Sequence, residues 1–396
     1  MSYNSHNLFT LKIQINSTLA TIPPSGIRKF FEIVAEQPDV ISLSVGEPDF
    51  ATPWHICESA IATLEMGNTH YTGNRGTPEL RAAIAKYLAA KFALRYSAKE
   101  EILVTNGGSE AFDIAARAIL NPGDEVLVLQ PGYVMYSPLI TLAGGIPVGV
   151  NFGKDWKLSI ANLAAKITPK TRAVVINYPN NPTGNTFTQA ELKALAAFVK
   201  KHNLVVFSDE IYAELVYTGK HTAFASLPGM KSHTLTISGF SKAFAMTGFR
   251  LGYLAAPAEV IAAATKIHQY AALCANTVSQ AAALEALQNG EKEMEKMREE
   301  YQLRRDFVVR ELKQMGFAIN LPAGAFYAFP EVKTKTGLSG EEFALKLLKE
   351  EKVAVVPGNA FGEEFSSYIR ISYATGFSEL EEAFRRIAKF IKSLKK

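Results

Sequence analysis

The feature that most restricts the fold is a repeated pair: a short, unbroken apolar run, then a stretch with helical spacing. The repetition begins near residue 100, where Ile102–Thr105 precedes a helical pattern from Ser109 to Leu120. Val126–Leu129 follows the turn Asn121-Pro122-Gly123-Asp124. Ala173–Ile176 and Leu204–Ser208 flank helical spacing over Thr188–His202, and Thr234–Ser238 and Leu251–Ala255 complete the series. These runs are continuous rather than alternating, so each strand is expected to be buried on both faces. Strands separated by helices then make a mostly parallel, doubly wound sheet, an α/β domain. Ligands gather at the carboxyl ends of such strands. Functional residues are therefore expected at the ends of the apolar runs.

After about residue 290 the texture changes. Glu291–Lys313 is strongly charged and helical. Short strands are expected around Phe326–Phe329, Val353–Val356 and Tyr368–Ser372, with a helix over Gly340–Glu350 and a closing helix from Ser378. This predicts a smaller α+β domain over 291–396, a large domain over 50–290, and an N-terminal segment, 1–49, that joins the small one. At roughly 100–200 residues per domain, 396 residues suit such a division.

Composition excludes several classes. Basic residues number 42 and acidic ones 38, too even a balance for nucleic-acid binding. The basic tail of Lys389, Lys392, Lys395 and Lys396 suits a solvated helix end, where cations favour the helix dipole. The Ala-rich stretch Tyr253–Ala275 is interrupted by Pro257, Glu259, Lys266 and His268, so it is a packed helix rather than a membrane span. The first positions are polar, unlike a signal peptide. Cys57 and Cys274 are too few and too far apart for a disulfide framework, and a cytoplasmic location is expected. The histidines are scattered, without HExxH or CxxC spacing, so no metal site is expected.

Four segments could carry chemistry. Lys242 lies behind a strand end in Ser238-Gly239-Phe240-Ser241-Lys242, and Arg250 follows it. A lysine can bond an aldehyde as a Schiff base, and an arginine can clamp a phosphate. As a bare pair, both could equally be surface charges. Asp209 comes straight after the buried run Leu204–Ser208, where a carboxylate is costly without a cationic partner such as a protonated pyridine nitrogen; the plainer alternative is a helix cap. Tyr212 follows it. Asn181 sits in the turn Asn180-Asn181-Pro182-Thr183-Gly184. Asn106-Gly107-Gly108-Ser109 opens a helix and can face an anion with backbone N–H groups, or simply cap it.

Together these segments resemble the class I and II aminotransferases, the fold type I family that uses pyridoxal 5′-phosphate, in an aspartate- or aromatic-specific form. SGFSKAFAMTGFRLGY is the most specific part, and NNPTG, SDEIY and RISYA fit the same pattern in the same order. The resemblance runs from Ile22 to the last helix. It implies that Lys242 carries the cofactor and shuttles the proton, that Asp209 pairs with the pyridine nitrogen, and that Asn181 and Tyr212 contact the ring oxygen. It implies that Arg250, Gly108 and Ser109 hold the phosphate and that Tyr133 stacks on the ring. Arg370 is implied to bind the substrate α-carboxylate, with Gly46 as a backbone contact beside it. Tyr71 is implied to reach the phosphate of a neighbouring subunit, which makes the partner a second copy in a homodimer with shared active sites.

Two departures stand out. Where the family often has a phosphate-binding serine, this chain has Gly239 between Ser238 and Ser241, and Ser241 is expected to serve. Some acid-specific relatives carry a lysine at the position of Ser109 here. The implied reaction moves the amino group of an L-amino acid, aromatic or aspartate-type, to a 2-oxo acid such as 2-oxoglutarate by ping-pong chemistry. Rival readings are a C–S β-lyase on the same cradle and a non-catalytic, cofactor-sensing regulator. The latter needs a DNA-binding module, for which the stretch before Ile22 is too short. Substrate choice is expected to involve residues 22–27, the neighbourhood of Tyr71, and the partner subunit.

Overall fold

The computed structural model describes residues 13–24, 26 and 39–394. Most of the expected joining segment before residue 39, Ile27 of the substrate-side stretch, and the terminal Lys395 and Lys396 lie outside that range.

The central sheet has the strand order β2-β8-β7-β6-β5-β3-β4. Its members are β2 (Ile102–Thr105), β3 (Glu125–Gln130), β4 (Ile146–Asn151), β5 (Thr171–Asn177), β6 (Val205–Asp209), β7 (Thr234–Gly239) and β8 (Gly252–Ala255). All neighbours run parallel except β8, which is antiparallel to both β7 and β2. Helices Gly108–Ile119, Gln189–His202 and Ala258–Ala271 connect or cover these strands. Separate apolar clusters fill the two faces. Phe112, Val175, Phe207 and Ile237 lie on one side, and Val174, Ile176, Val206 and Leu195 on the other. This is the mostly parallel α/β architecture expected of continuous apolar strands.

The edge strand β4 escaped the sequence reading. It carries Pro147 and Gly149 and is buried only at Val150, so it lacks the unbroken apolar signature of the inner strands. Asp209 also differs slightly from expectation: it is the last residue of β6 rather than the first after it.

A second apolar cluster joins the chain after residue 290 to Leu43 near the N-terminus and to Tyr212, Leu215 and Tyr217 beyond β6. Here β1 (Ile41–Ser42) pairs in parallel with β10 (Val353–Ala354). A three-stranded sheet orders β11-β12-β9, from β9 (Tyr327–Ala328), β11 (Val356–Pro357) and β12 (Ile369–Ser372). The apolar run Val353–Val356, expected as one strand, thus divides between two sheets. Apolarity told that the run is buried but not which partner each half would take. Long helices Glu291–Gln314 and Phe377–Ser393 cover this region.

Candidate active site

A cavity of about 1490 Å³ opens where the carboxyl ends of the central strands meet the second cluster. Its lining includes Gly46, Gly108, Ser109, Tyr133, Asn181, Asp209, Tyr212, Ser241, Lys242, Arg250 and Arg370. The reason they converge is topological. Asp209 ends β6, Asn181 follows β5, Ser241 and Lys242 follow β7, and Gly108 follows β2.

Lys242 donates from Nζ to the backbone carbonyl of Gly46 at 2.7 Å. Burial lowers its amine to about 8; the charge of Glu47 opposes this, and Arg370 and Arg250 add to it. Asp209 is nearly inaccessible, at 4% exposure. Burial raises its carboxyl to about 6, against a hydrogen bond of 2.6 Å from the Tyr136 hydroxyl to Oδ2 and one of 3.2 Å from Ile211 N–H to Oδ1. Asn177 braces two of these strand ends at once. Its Nδ2 donates to the Asp209 carbonyl at 3.1 Å, and its Oδ1 accepts from Asn181 N–H at 2.9 Å.

At the opposite side, Arg370 is buried on β12. It donates from Nη1 to Asn181 Oδ1 at 3.0 Å and from Nη2 to the Ser44 carbonyl at 2.6 Å, while its Nε has no hydrogen-bond partner among the described residues. Burial lowers its pKa from the ordinary value, and electrostatic interaction with Tyr327, Tyr212 and Tyr133 opposes that. Because Asn181 gives its Oδ1 to Arg370, its Nδ2 remains as the donor.

The third corner is one that could hold an anion. Gly107 has φ of +91°, a left-handed backbone that glycine adopts without strain, and a Cβ there would lie 2.7 Å from Arg250 Nη2. Arg250 therefore presses against the turn that starts helix Gly108–Ile119. The backbone of Gly252 on β8 approaches the same turn so closely that a Cβ would meet Gly108 N at 2.6 Å. Helix N–H groups, a guanidinium, and the hydroxyls of Ser109 and Ser241 line one side of the cavity. Ser238 faces away, its hydroxyl donating to the Glu210 carbonyl at 3.4 Å.

Comparison with known proteins identifies the architecture. A model of the aminotransferase class I and II family matches residues 38–387. The chain belongs to this family. An aspartate aminotransferase of Pyrococcus abyssi is 45% identical over 96% of this chain and 99% of its own. Aromatic-amino-acid aminotransferase 2 of Thermococcus litoralis is 43% identical over the same shares. The solved aromatic aminotransferase of Pyrococcus horikoshii superposes with a TM-score of 0.88 at 44% identity, covering 93% of this chain and 99% of that one.

The protein is thus a pyridoxal-phosphate-dependent aminotransferase. The cavity suits that cofactor. It has an amine of depressed basicity suited to the aldehyde, a buried carboxylate with no cationic side chain bonded to it among the described residues, suited to the ring nitrogen, and an N–H and guanidinium corner suited to the phosphate.

Tyr71 stands apart from these residues. It is 81% exposed and outside the cavity lining of this chain. Two cavity residues that sequence reasoning missed are Tyr136, the partner of Asp209, and Tyr327, the partner of Tyr212. Tyr136 lies three residues beyond Tyr133, yet the sequence carries no sign that it turns toward β6.

Proposed function

We propose that this aminotransferase acts on aromatic or aspartate-type L-amino acids and passes the amino group to 2-oxoglutarate by a ping-pong route. The observation that carries the reading is the placement of Lys242 Nζ in one cavity with Asp209 and Arg370. The range of substrates follows the names of the relatives, which include both aspartate and aromatic enzymes.

When bound, pyridoxal phosphate supplies an aldehyde that condenses with amines and a protonated ring that accepts electrons from the substrate's α-carbon. Lys242 Nζ would be the amine that holds the aldehyde and, when free, the base that carries the substrate's α-proton. Asp209 would keep the ring nitrogen protonated. Asn181 Nδ2 and the Tyr212 hydroxyl would donate to the ring oxygen. Gly108, Ser109, Ser241 and Arg250 would hold the phosphate, and Tyr133 would pack on the ring. Arg370 orients the substrate by its α-carboxylate beside the Gly46 backbone; its planar fork suits a bidentate pair.

We further propose a homodimer. Tyr71 and Tyr270 are both strongly exposed, and their segments share a face. Asn74 Nδ2 donates to the Leu273 carbonyl at 2.7 Å, and Thr277 Oγ1 to the His70 carbonyl at 2.7 Å. Trp54, Leu64 and Met66 add exposed apolar surface on and beyond helix Trp54–Glu65. Tyr71 would then serve the phosphate corner of the second copy. The pairing of β1 with β10 supports grouping residues up to 49 with 291–396 as a small domain against a cofactor domain of 50–290. Free thiols at Cys57 and Cys274 suit a cytoplasmic location.

The test is a half-reaction screen. Each of the common amino acids is mixed with the cofactor-loaded protein, and loss of the visible absorption is followed. Fast reaction with aromatic amino acids, aspartate or glutamate is expected. Pyruvate and ammonia released without any 2-oxo acid acceptor would overturn transamination in favour of a lyase.

A further inference from the structure

Tyr327 opens β9 in the three-stranded sheet, and Tyr212 follows β6 of the central sheet. Their hydroxyls meet at 2.8 Å, and their rings pack edge to face at 5.8 Å and 83°. Both are buried, at 1% and 4% exposure. This is a hydrogen bond between the two sheets, made at the floor of the cavity.

Tyr327 has little room to do anything else. The Arg370 guanidinium carbon lies 4.6 Å over its ring. Gly46 comes so near that a Cβ there would stand 2.4 Å from the Tyr327 hydroxyl. Gly46 in turn accepts from Lys242 Nζ. One side chain therefore touches the backbone that receives the lysine, the arginine proposed for the substrate carboxylate, and the phenol proposed for the ring oxygen.

Proton counting fixes the direction of the hydroxyl pair. A phenol has one hydrogen to give and lone pairs to receive. If Tyr212 gives its hydrogen to the ring oxygen, Tyr327 must be the donor between the two. A donor that itself receives a hydrogen bond is polarised and strengthened, and more so in a low-dielectric site.

We propose that Tyr327 is a positioning residue for this reaction: its hydroxyl aims the Tyr212 phenol at the cofactor's ring oxygen and strengthens it as a donor. The inference rests on the proposed role of Tyr212. Donors on the ring oxygen draw away the negative charge that stabilises a proton on the neighbouring imine nitrogen. They therefore lower the pH at which that proton leaves.

Tyr327→Phe keeps the ring and its contact with Arg370 while removing only the hydroxyl. The experiment is a pH titration of the visible absorption of the cofactor-loaded protein, carried out on wild type, Y327F, Y212F and the double variant. The midpoint in Y327F is expected to rise by about half to one unit, the size of one hydrogen bond. In the Y212F background the same substitution is expected to change nothing, because the phenol it acts through is gone. An unchanged midpoint in Y327F overturns the proposal. So does an equal rise in both backgrounds, which would assign the effect to Arg370 or Gly46. Failure of the underlying reading looks different: wild type itself would develop no visible band that depends on Lys242.

Discussion

Tyr136 gives its hydroxyl hydrogen to Asp209 Oδ2 at 2.6 Å, and neither side chain reaches solvent appreciably. The bond has a chemical consequence. Burial pushes the Asp209 carboxyl up to about 6, and the Tyr136 hydroxyl is the largest influence pulling it back. Hydrogen bonds to a charged group are worth about 1.5–3 kcal/mol, and one pKa unit is 1.36 kcal/mol. Tyr136→Phe is therefore expected to raise the proton affinity of Asp209 by about one unit or more. A more easily protonated Asp209 is a poorer anion for a cationic ring nitrogen, so the half-reaction should slow about tenfold near neutral pH. Its acidic limb should also move to higher pH. Stopped-flow rates across pH 5–8 read both effects, and an unmoved acidic limb would contradict the assignment.

The same carboxylate predicts how the cofactor-free protein responds to pH. The folded value of about 6 lies above the ordinary 3.8. A group raised on folding contributes stability that is complete below the unfolded value and is lost as pH rises through the folded one. About two units correspond to about 3 kcal/mol, lost between roughly pH 4 and 6. Denaturant unfolding of the apo protein and of Asp209→Asn, compared pH by pH, isolates this group from all others. The wild-type advantage should shrink by about that amount over the window. A constant difference would mean that Asp209 is not perturbed by burial.

How far the sequence anticipated the site depended on what each residue's neighbours are. Asp209, Asn181, Lys242 and Gly108 stand at or just beyond strand ends, and strand ends are legible because buried strands are unbroken apolar runs. Arg370 was found only through resemblance, since a lone arginine in RISYA has no local peculiarity. Tyr136 and Tyr327 were not found. Each hydrogen-bonds a partner distant in the chain, Asp209 and Tyr212 respectively. A tyrosine in an apolar segment has the same local pattern whether its hydroxyl meets a catalytic side chain or a backbone carbonyl. The split of Val353–Val356 between β10 and β11 was hidden for a related reason: pattern encodes burial, and tertiary pairing decides the partner.

Lys242 yields a prediction about cofactor capture. Its amine is lowered to about 8, mainly by burial. Only the neutral amine attacks an aldehyde. The second-order rate of covalent capture of pyridoxal phosphate by apo protein should climb about tenfold per pH unit below that value and level off above it. An ordinary exposed lysine would keep accelerating toward pH 10. Absorbance-monitored mixing at a series of pH values separates the two profiles.

Arg370 is buried, yet among the described residues its Nε has no hydrogen-bond partner and its other nitrogens bind only a carbonyl and an amide oxygen. A fixed cation left so sparsely bonded is prepared for an anion. Arg370→Lys replaces the fork with a single point charge. Losing one or two charge-assisted bonds at about 1.5–3 kcal/mol each should lower kcat/KM by roughly 10–10⁴. The visible spectrum of the bound cofactor should survive. If KM stays unchanged and only cofactor binding suffers, Arg370 serves the cofactor rather than the substrate.

Tyr71 allows the shared active site to be tested by mixing. It sits outside its own chain's cavity, on an exposed face with Tyr270, and the proposed dimer sends it to the phosphate corner of the other copy. Each site would then need Lys242 from one chain and Tyr71 from its partner. Lys242→Ala alone should be inactive, and Tyr71→Ala alone should retain cofactor weakly and turn over slowly. When the two variants are unfolded together and refolded, heterodimers form in which one site carries both defects and the other carries neither. Activity at low cofactor concentration should therefore rise well above the sum of the separate variants. Unmixed controls refolded alone should show no such gain. If mixing restores nothing while sedimentation confirms that heterodimers exist, Tyr71 works only within its own chain. Leu64→Glu, at an exposed apolar position of helix Trp54–Glu65, supplies the complementary measurement: it should shift the protein toward monomer and lower activity with it, because a lone chain would lack the partner's tyrosine.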